Sequence, residues 1–346
     1  MLGPMLRAKS SLLTLAVLML ALAAIACSKT QKASEKSEQP AESSNSEKSK
    51  SDHDSQRTFA SPAEAGSAVA QAAKAGDTKM LRDIFGPGAK DVLESGDAVQ
   101  DKNNLELFAT AYNRMNRWGA NAAGGQTLFV GVDNFPFPVP LKKNAEGRWY
   151  FDTAAGKDEI LARRIGNDEL VAINVLGDIA DAQNVYYNQA HGGEKQYAQK
   201  FVSDPGQQNG LYWKTEEGKP PSPLGPLGDL AQALGYSRQD KPQPFNGYYY
   251  KMLTKQGPTA KGGAGDYMQD GKLTKGFAVI AYPAKYGDSG IMSFMVGPDG
   301  VVYQKDLGEK TGDTAVAIAE FNPGEGWAAL KVEPIQRPTG PKSARK

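Results

Sequence analysis

Apolar and polar residues alternate along this chain in blocks, and the period of each block predicts its element. Residues 15–26 are apolar without a break. Residues 28–57 then run through Ser, Lys, Glu, Gln and Asp with almost nothing apolar. From Phe59 the pattern turns helical. Ser61-Pro62-Ala63-Glu64 has the spacing of a capping box with proline at the first helical position, and Gly76 suits the C-terminal cap. Asp77 reads as the cap of a second helix carrying Met80, Leu81, Ile84 and Phe85, stopped by Gly86-Pro87. A third helix is predicted over 105–118, with Leu105, Phe108, Ala109, Tyr112 and Met115 at helical spacing. Strands are predicted over 127–132, 137–142 and 148–152, the last two joined by a turn at 144–147.

Helical character returns over 158–165. Asn167 then reads as the cap of a separate long helix over 168–188, with Leu170, Val171, Ile173, Leu176, Ile179, Ala182 and Tyr186 on its apolar side. A short helix is expected around Tyr197 and Phe201, and a Gly- and Pro-rich loop over 204–228. Strands follow at 245–253, 277–282, 291–296 and 301–305, with Pro298-Asp299-Gly300 as the turn between the last two. Together these predict an α+β chain: N-terminal helices plus a small antiparallel sheet, then a long helix packed on a C-terminal antiparallel β-meander. The expected organisation is a leader over 1–26, a disordered polar tether over 27–57, domains over 58–165 and 166–330, and a loose basic tail over 331–346.

The leader carries the sharpest chemical signal. Arg7 and Lys9 precede the apolar run, which is shorter than the ~20 residues a membrane span needs and ends in small residues. It runs directly into Cys27, the one cysteine of the chain. This layout resembles a bacterial lipobox, with Ala24 standing where Leu is usual. The resemblance implies lipidation at Cys27 and a mature chain that begins there; an ordinary signal peptide with an incidental cysteine is the alternative. Each buried methylene contributes ~0.8 kcal/mol, so several acyl chains on one cysteine hold firmly. Ser28 is not the Asp that retains such proteins in the inner membrane, which implies an outer-membrane anchor facing the periplasm. The tether reaches on the order of 30 Å as a coil. His53 lies within it and reads as a solvated linker residue.

Charge narrows the partners. The chain has 40 Lys and Arg against 39 Asp and Glu, and loss of Arg7 and Lys9 with the leader takes the balance from +1 to −1. That gives no electrostatic case for nucleic acid. With Cys27 committed to lipid, no thiol remains for a disulfide, a nucleophile or a zinc site. No cofactor or metal is expected. The expected partners are the membrane, through the N-terminal lipid, and an envelope protein or glycan.

Several stretches together resemble an uncharacterised bacterial family, domain of unknown function 2950. They are residues 57–65, Phe135-Pro136-Phe137-Pro138-Val139-Pro140-Leu141, residues 149–157, Gly210-Leu211-Tyr212-Trp213, residues 222–227, Gly247-Tyr248-Tyr249-Tyr250 and residues 276–287. The resemblance spans residues 57 to about 327 and implies no known activity. The first folded part, with its hairpin ending at 147–152, looks like nuclear-transport-factor-2-like domains. The second, a long helix before a meander, looks like the globular head of a pilin or pseudopilin. It lacks the hydrophobic assembly helix at its start, so incorporation into a filament is not expected.

Four features are candidates for chemistry. His191 is the one histidine beyond the tether; it stands at a helix end, no Gly-x-Ser-x-Gly elbow accompanies it, and solvent exposure or capping explains it more simply than a hydrolytic triad. Asp152, Asp158, Glu159, Asp168 and Glu169 lie near Arg163 and Arg164. An envelope hydrolase acting on glycan or peptide would use two of these carboxylates; ion pairs and helix caps are the simpler account. Residues 261–266 are glycine-rich without the order of a nucleotide loop. Aromatic residues are dense at Phe135, Phe137, Tyr212, Trp213, Tyr248 and Tyr249, and these are the candidate binding residues, because such rings bury area at low entropic cost. The expected function is that of a non-enzymatic envelope binding or assembly module.

Overall fold

The computed structural model describes residues 56–189, 193–215, 221–236, 242–324 and 326–330. The expected leader, Cys27, His53 and nearly all of the tether, His191 and the basic tail lie outside the described residues.

The first helix of the described residues is α1 at Pro62–Ala75. The Ser61 hydroxyl accepts from the Glu64 amide at 3.2 Å, and the Glu64 carboxylate accepts from the Ala60 amide at 2.9 Å, one residue before the cap. Gly76 ends the helix at φ +64°, a left-handed conformation that costs glycine little. Ser61→Ala is expected to cost about 1 kcal/mol, and Ser61→Asn close to nothing, in urea denaturation. α2 at Thr78–Phe85 is capped by Asp77, whose carboxylate accepts from the Met80 amide. α3 covers Ala89–Leu93.

α4 spans Ala98–Arg114, so the third predicted helix begins earlier than residue 105. Asp97 holds this start, with Oδ1 accepting from the amides of Val99 and Gln100 at 3.1 Å each. Trp118 falls instead in β1, Asn116–Ala120. β2 is Gln126–Val130, β3 Phe135–Pro136, β4 Leu141–Lys143 and β5 Trp149–Phe151. The strand predicted over 137–142 is not continuous. The Phe137 amide still donates to the Leu128 carbonyl at 2.7 Å, but Pro138 and Pro140 lack the amide hydrogens a ladder needs, and the ladder resumes at Leu141. The sheet is antiparallel in the order β1-β2-β4-β5, and β3 shares one edge of β2 with β4.

α5 is one helix of 36 residues, Thr153–Asn188. The break expected between 165 and 168 does not occur. Gly166 costs a helix about 1 kcal/mol without ending it, and no proline stands between 153 and 188. The Asn167 amide donates to Asp168 Oδ1 at 3.1 Å rather than capping the backbone.

α6, Gly225–Ala233, occupies part of the stretch read as loop. Pro226 sits in its first turn, where a missing amide hydrogen is harmless. No helix forms at Tyr197 and Phe201. Tyr197 bridges to Leu273, and the neighbouring Val202 bridges to Tyr212. β6 is Tyr248–Leu253. Two small ribbons follow: β7 Lys255–Gln256 with β8 Gly265–Asp266, and β9 Met268–Gln269 with β10 Lys272–Leu273. The main strands are β11 Ala278–Pro283, β12 Met292–Val296 and β13 Val302–Asp306. α7, Thr311–Ala317, and β14, Ala328–Ala329, are the last elements of the described residues. The second sheet is antiparallel in the order β14-β13-β12-β11-β6.

These elements form two compact units. Among the described residues, the first takes residues 56–90 together with Glu106–Lys157; the second takes Asp91–Leu105 and the residues from Asp158 onward. The sequence suggests one boundary at 165/166, whereas the division crosses both α4 and α5. The first unit buries Phe59, Leu81, Ile84, Phe85, Leu128, Leu141 and Phe151. In the second unit, alternation along the strands separates two cores. Val279, Ala281, Phe294 and Val296 pack with Ala172, Val175, Leu176 and Ile179 of α5. Ala278, Ile280 and Met295 pack on the other face with Tyr267, Leu273, Ala315 and Phe321. The chain is α+β, with its long helix packed on the C-terminal meander. No described helix is long and apolar enough to cross a membrane.

Candidate functional site

The second unit holds a cavity of about 580 Å³. α5 contributes Val175 and Ile179, and α6 contributes Leu227, Gly228, Ala231 and Gln232. Phe201 and Val202, then Tyr212 and Leu224, continue the wall. Tyr236, Pro242, Gln243, Pro244, Phe245, Tyr249 and Tyr250 close it from the side of β6. The one described cationic side chain in the lining is Lys200, whose ammonium is ion-paired with Asp204.

Tyr212 owes its position to Gly228. A Cβ at residue 228 would fall 2.2 Å from the Tyr212 ring, so only glycine lets the ring lie flat on α6. The phenol is then fixed by two side chains of the same helix, donating to Asp229 Oδ1 and accepting from Gln232 Nε2, both at 2.9 Å. Burial, with the Asp229 carboxylate adding to it, pushes this phenol up to about 12. Gly228→Ala must move the ring, with a stability cost of about 1–3 kcal/mol. Near-ultraviolet circular dichroism should report the displaced tyrosine, while the far-ultraviolet spectrum stays unchanged.

Behind Tyr236 and Tyr250 lies a buried polar cluster. The Tyr236 hydroxyl donates to Asp97 Oδ2 at 2.7 Å and accepts from the Asn246 amide at 3.1 Å. Asp97 Oδ2 also accepts from the Gly247 amide at 3.2 Å. Gln100 Nε2 donates to Asp168 Oδ1 at 2.6 Å. Asp168 is fully buried, and its Oδ2 has no hydrogen-bond partner among the described residues. Gly247, at φ +75°, packs so closely on that oxygen that a Cβ would come within 2.5 Å of it. Burial pushes the Asp168 carboxyl up to about 7, against the opposing hydrogen bonds from Gln100 and Asn167. Burial also raises Asp101, whose carboxylate accepts from the Ser95 amide. The Tyr250 hydroxyl is enclosed without a hydrogen-bond partner among the described residues, and burial with the Asp168 charge raises its pKa far above the usual phenol range. Both phenols therefore remain neutral at physiological pH.

The candidate residues read from the sequence are distributed between the two units. Tyr212 and Tyr249 line the cavity. Trp213 and Tyr248 belong to the core under it, with the Tyr248 hydroxyl donating to the Met292 carbonyl at 2.8 Å. In the first unit, Phe137 packs among Phe85, Phe108 and Phe151, its ring centroid 5.0 Å from that of Phe108, and Phe135 pairs with Val130 in the sheet.

The acidic run does not supply two carboxylates facing one cleft. Asp152 pairs with Lys142 at 2.6 Å and accepts from the Ala155 amide at the start of α5. Asp158 is exposed, and Glu159 pairs with Arg163 at 2.6 Å. Arg164 pairs with Asp288. Asp168 is held by Gln100, and Glu169 accepts from the amides of Ile291 and Met292, each at 2.9 Å. The hydrolase reading thus loses the geometry it needs. In the glycine-rich loop, Gln256 Nε2 donates to the carbonyls of Lys261 and Gly263, so the loop serves the β7–β8 turn. Among the described residues no cluster of three or more His, Cys, Asp or Glu is arranged for a metal.

Sequence reasoning missed Tyr236, Phe245 and the carboxylate of Asp97. Asp97 carries a readable signal: an acidic residue directly before Ala98, with Gln100 three residues on, is a capping-box spacing. Tyr236 and Phe245 carry none, since only the folded chain brings their rings together, 4.8 Å apart and edge to face.

No curated protein and no solved structure matches the chain, so the resemblances to nuclear-transport-factor-2-like domains and pilin heads gain no support. A family model does match, over residues 56–330, and it covers both units, the cavity and the buried carboxylates behind it. The chain belongs to the family described as protein of unknown function DUF2950.

Proposed function

We propose that this protein is a lipid-anchored lipoprotein of the bacterial cell envelope, set in the outer membrane and facing the periplasm, and that it acts there as a non-enzymatic binding module through the cavity of its second unit. The observation that carries the binding role is the cavity itself. Its size falls within the ~300–1,000 Å³ usual for small-molecule sites, and its walls are aromatic and aliphatic with few polar atoms. The Tyr212 and Tyr236 hydroxyls are held in fixed hydrogen bonds, which suits shape recognition better than proton transfer.

The anchor rests on the sequence. Arg7, Lys9, the apolar run over 15–26 and Cys27 follow the order of a lipoprotein leader. The polar residues after Cys27 would then hold the folded units off the membrane at a distance on the order of 30 Å. The membrane is one partner, through the lipid, and an envelope component is the other, through the cavity. Mass spectrometry of the mature N-terminus tests the anchor. A chain beginning at Cys27 and carrying several acyl chains is expected; a free thiol there, or cleavage elsewhere, overturns it.

A further inference from the structure

We propose that the second-unit cavity takes an organic cation of the quaternary-ammonium class, with the methylated head among its aromatic rings. The inference rests on the reading of this cavity as a ligand site and names the chemistry of what enters it.

Six rings line the cavity: Phe201, Tyr212, Tyr236, Phe245, Tyr249 and Tyr250. The faces of aromatic rings are electron-rich and attract cations, most strongly where water is excluded. Two of these phenols donate their hydrogen to a carboxylate, Tyr212 to Asp229 and Tyr236 to Asp97. A phenol hydrogen-bonded to an anion gains electron density, which makes its ring face more attractive to positive charge. The carboxylates themselves add to the field. Asp97 is balanced by the Tyr236 hydroxyl and by the amides of Val99, Gln100 and Gly247, with no cationic side chain ion-paired to it among the described residues. The Lys200 charge at the wall is neutralised by Asp204.

The kind of cation follows from the hydrogen bonds. A primary ammonium brings three N–H donors that must be satisfied. The Tyr212 and Tyr236 oxygens already accept from Gln232 Nε2 and the Asn246 amide, and the remaining wall is largely carbon. A quaternary ammonium has no N–H to satisfy, and its methyl groups suit an apolar wall. An anionic head would meet Asp97 and Asp229 across the rings, and among the described lining residues the one cation, Lys200, is already paired with Asp204.

Choline and its uncharged isostere 3,3-dimethyl-1-butanol separate charge from shape. The lipidated full chain is placed in vesicles of phosphatidylethanolamine and phosphatidylglycerol, which carry no quaternary ammonium, and labelled choline is measured by equilibrium dialysis. Choline should bind about tenfold more tightly than the isostere. Asp229→Asn, at an exposed position that keeps the hydrogen bond to Tyr212 but removes the charge, should weaken choline severalfold and leave the isostere unchanged. Tyr249→Leu should weaken choline more than the isostere. Equal binding of choline and isostere would overturn the cationic reading and leave the cavity a ligand site for neutral molecules. Binding of neither would overturn the ligand-site reading as well.

Discussion

Arg164→Met should lower the stability of the second unit by about 3 kcal/mol, because it leaves a buried carboxylate without its main partner. Arg164 and Asp288 are 10% and 7% exposed at their side chains, so water cannot substitute for the lost guanidinium. The same guanidinium donates to the Val92 carbonyl at 2.8 Å, which ties the segment before α4 to α5. Lys285 also contacts Asp288, but at 57% exposure it gives only a screened replacement. Urea denaturation measures the loss. The double variant Arg164→Met with Asp288→Leu should recover most of it, since removing both charges leaves nothing stranded. A single variant within 1 kcal/mol of the parent would show that this pair does not hold the segment.

Asp168→Asn should remove a pH dependence that the parent shows between about pH 4 and 7. Folding raises the Asp168 carboxyl from its ordinary value near 3.8 to about 7, chiefly by burial. Between those values the folded chain keeps a proton that the unfolded chain has lost. Stability from this group is therefore full below about pH 4, falls as pH rises, and is lost above about pH 7. The shift corresponds to up to about 4 kcal/mol. In the variant, the amide oxygen still accepts from Gln100 and Asn167, so the cluster is kept without the charge. Denaturation midpoints at pH 4.5 and 8 should be close to the parent at the lower value and well above it at the higher. Parallel profiles for the two proteins would show that Asp168 carries no such penalty.

Much of the fold was legible where a side chain acts on its own backbone. Ser61, Gly76 and Asp77 end or begin helices through contacts a few residues away, and the spacing alone reveals them. The strands of the meander were legible because they alternate between two cores, as at Ala278, Val279, Ile280 and Ala281. The misreadings arise where a local signal is overridden. Gly166 and Asn167 look like a helix boundary, yet Asn167 bonds to Asp168 and α5 runs through. β1 was missed because Asn116, Arg117 and Gly119 do not resemble strand residues; pairing with β2 forms the strand. The cavity was legible only in part. Tyr212 and Tyr249 stand in aromatic clusters, but their shared wall is assembled from segments some forty residues apart. The neighbouring aromatic residues Trp213 and Tyr248 went to the core instead, and nothing in the local sequence marks which ring of each cluster lines the cavity.

If the proposed envelope lipoprotein holds a ligand in its second-unit cavity, that ligand should stay with the protein through purification. Native mass spectrometry tests it on the intact protein purified from the envelope, with Gly228→Ala and the cavity-filling Leu227→Trp prepared in the same way. One lipidated N-terminal mass at Cys27 is expected for all three, with a bound small molecule on the parent that is lost from both variants. A ligand retained equally by all three proteins, or no ligand on the parent, would contradict the ligand-site reading.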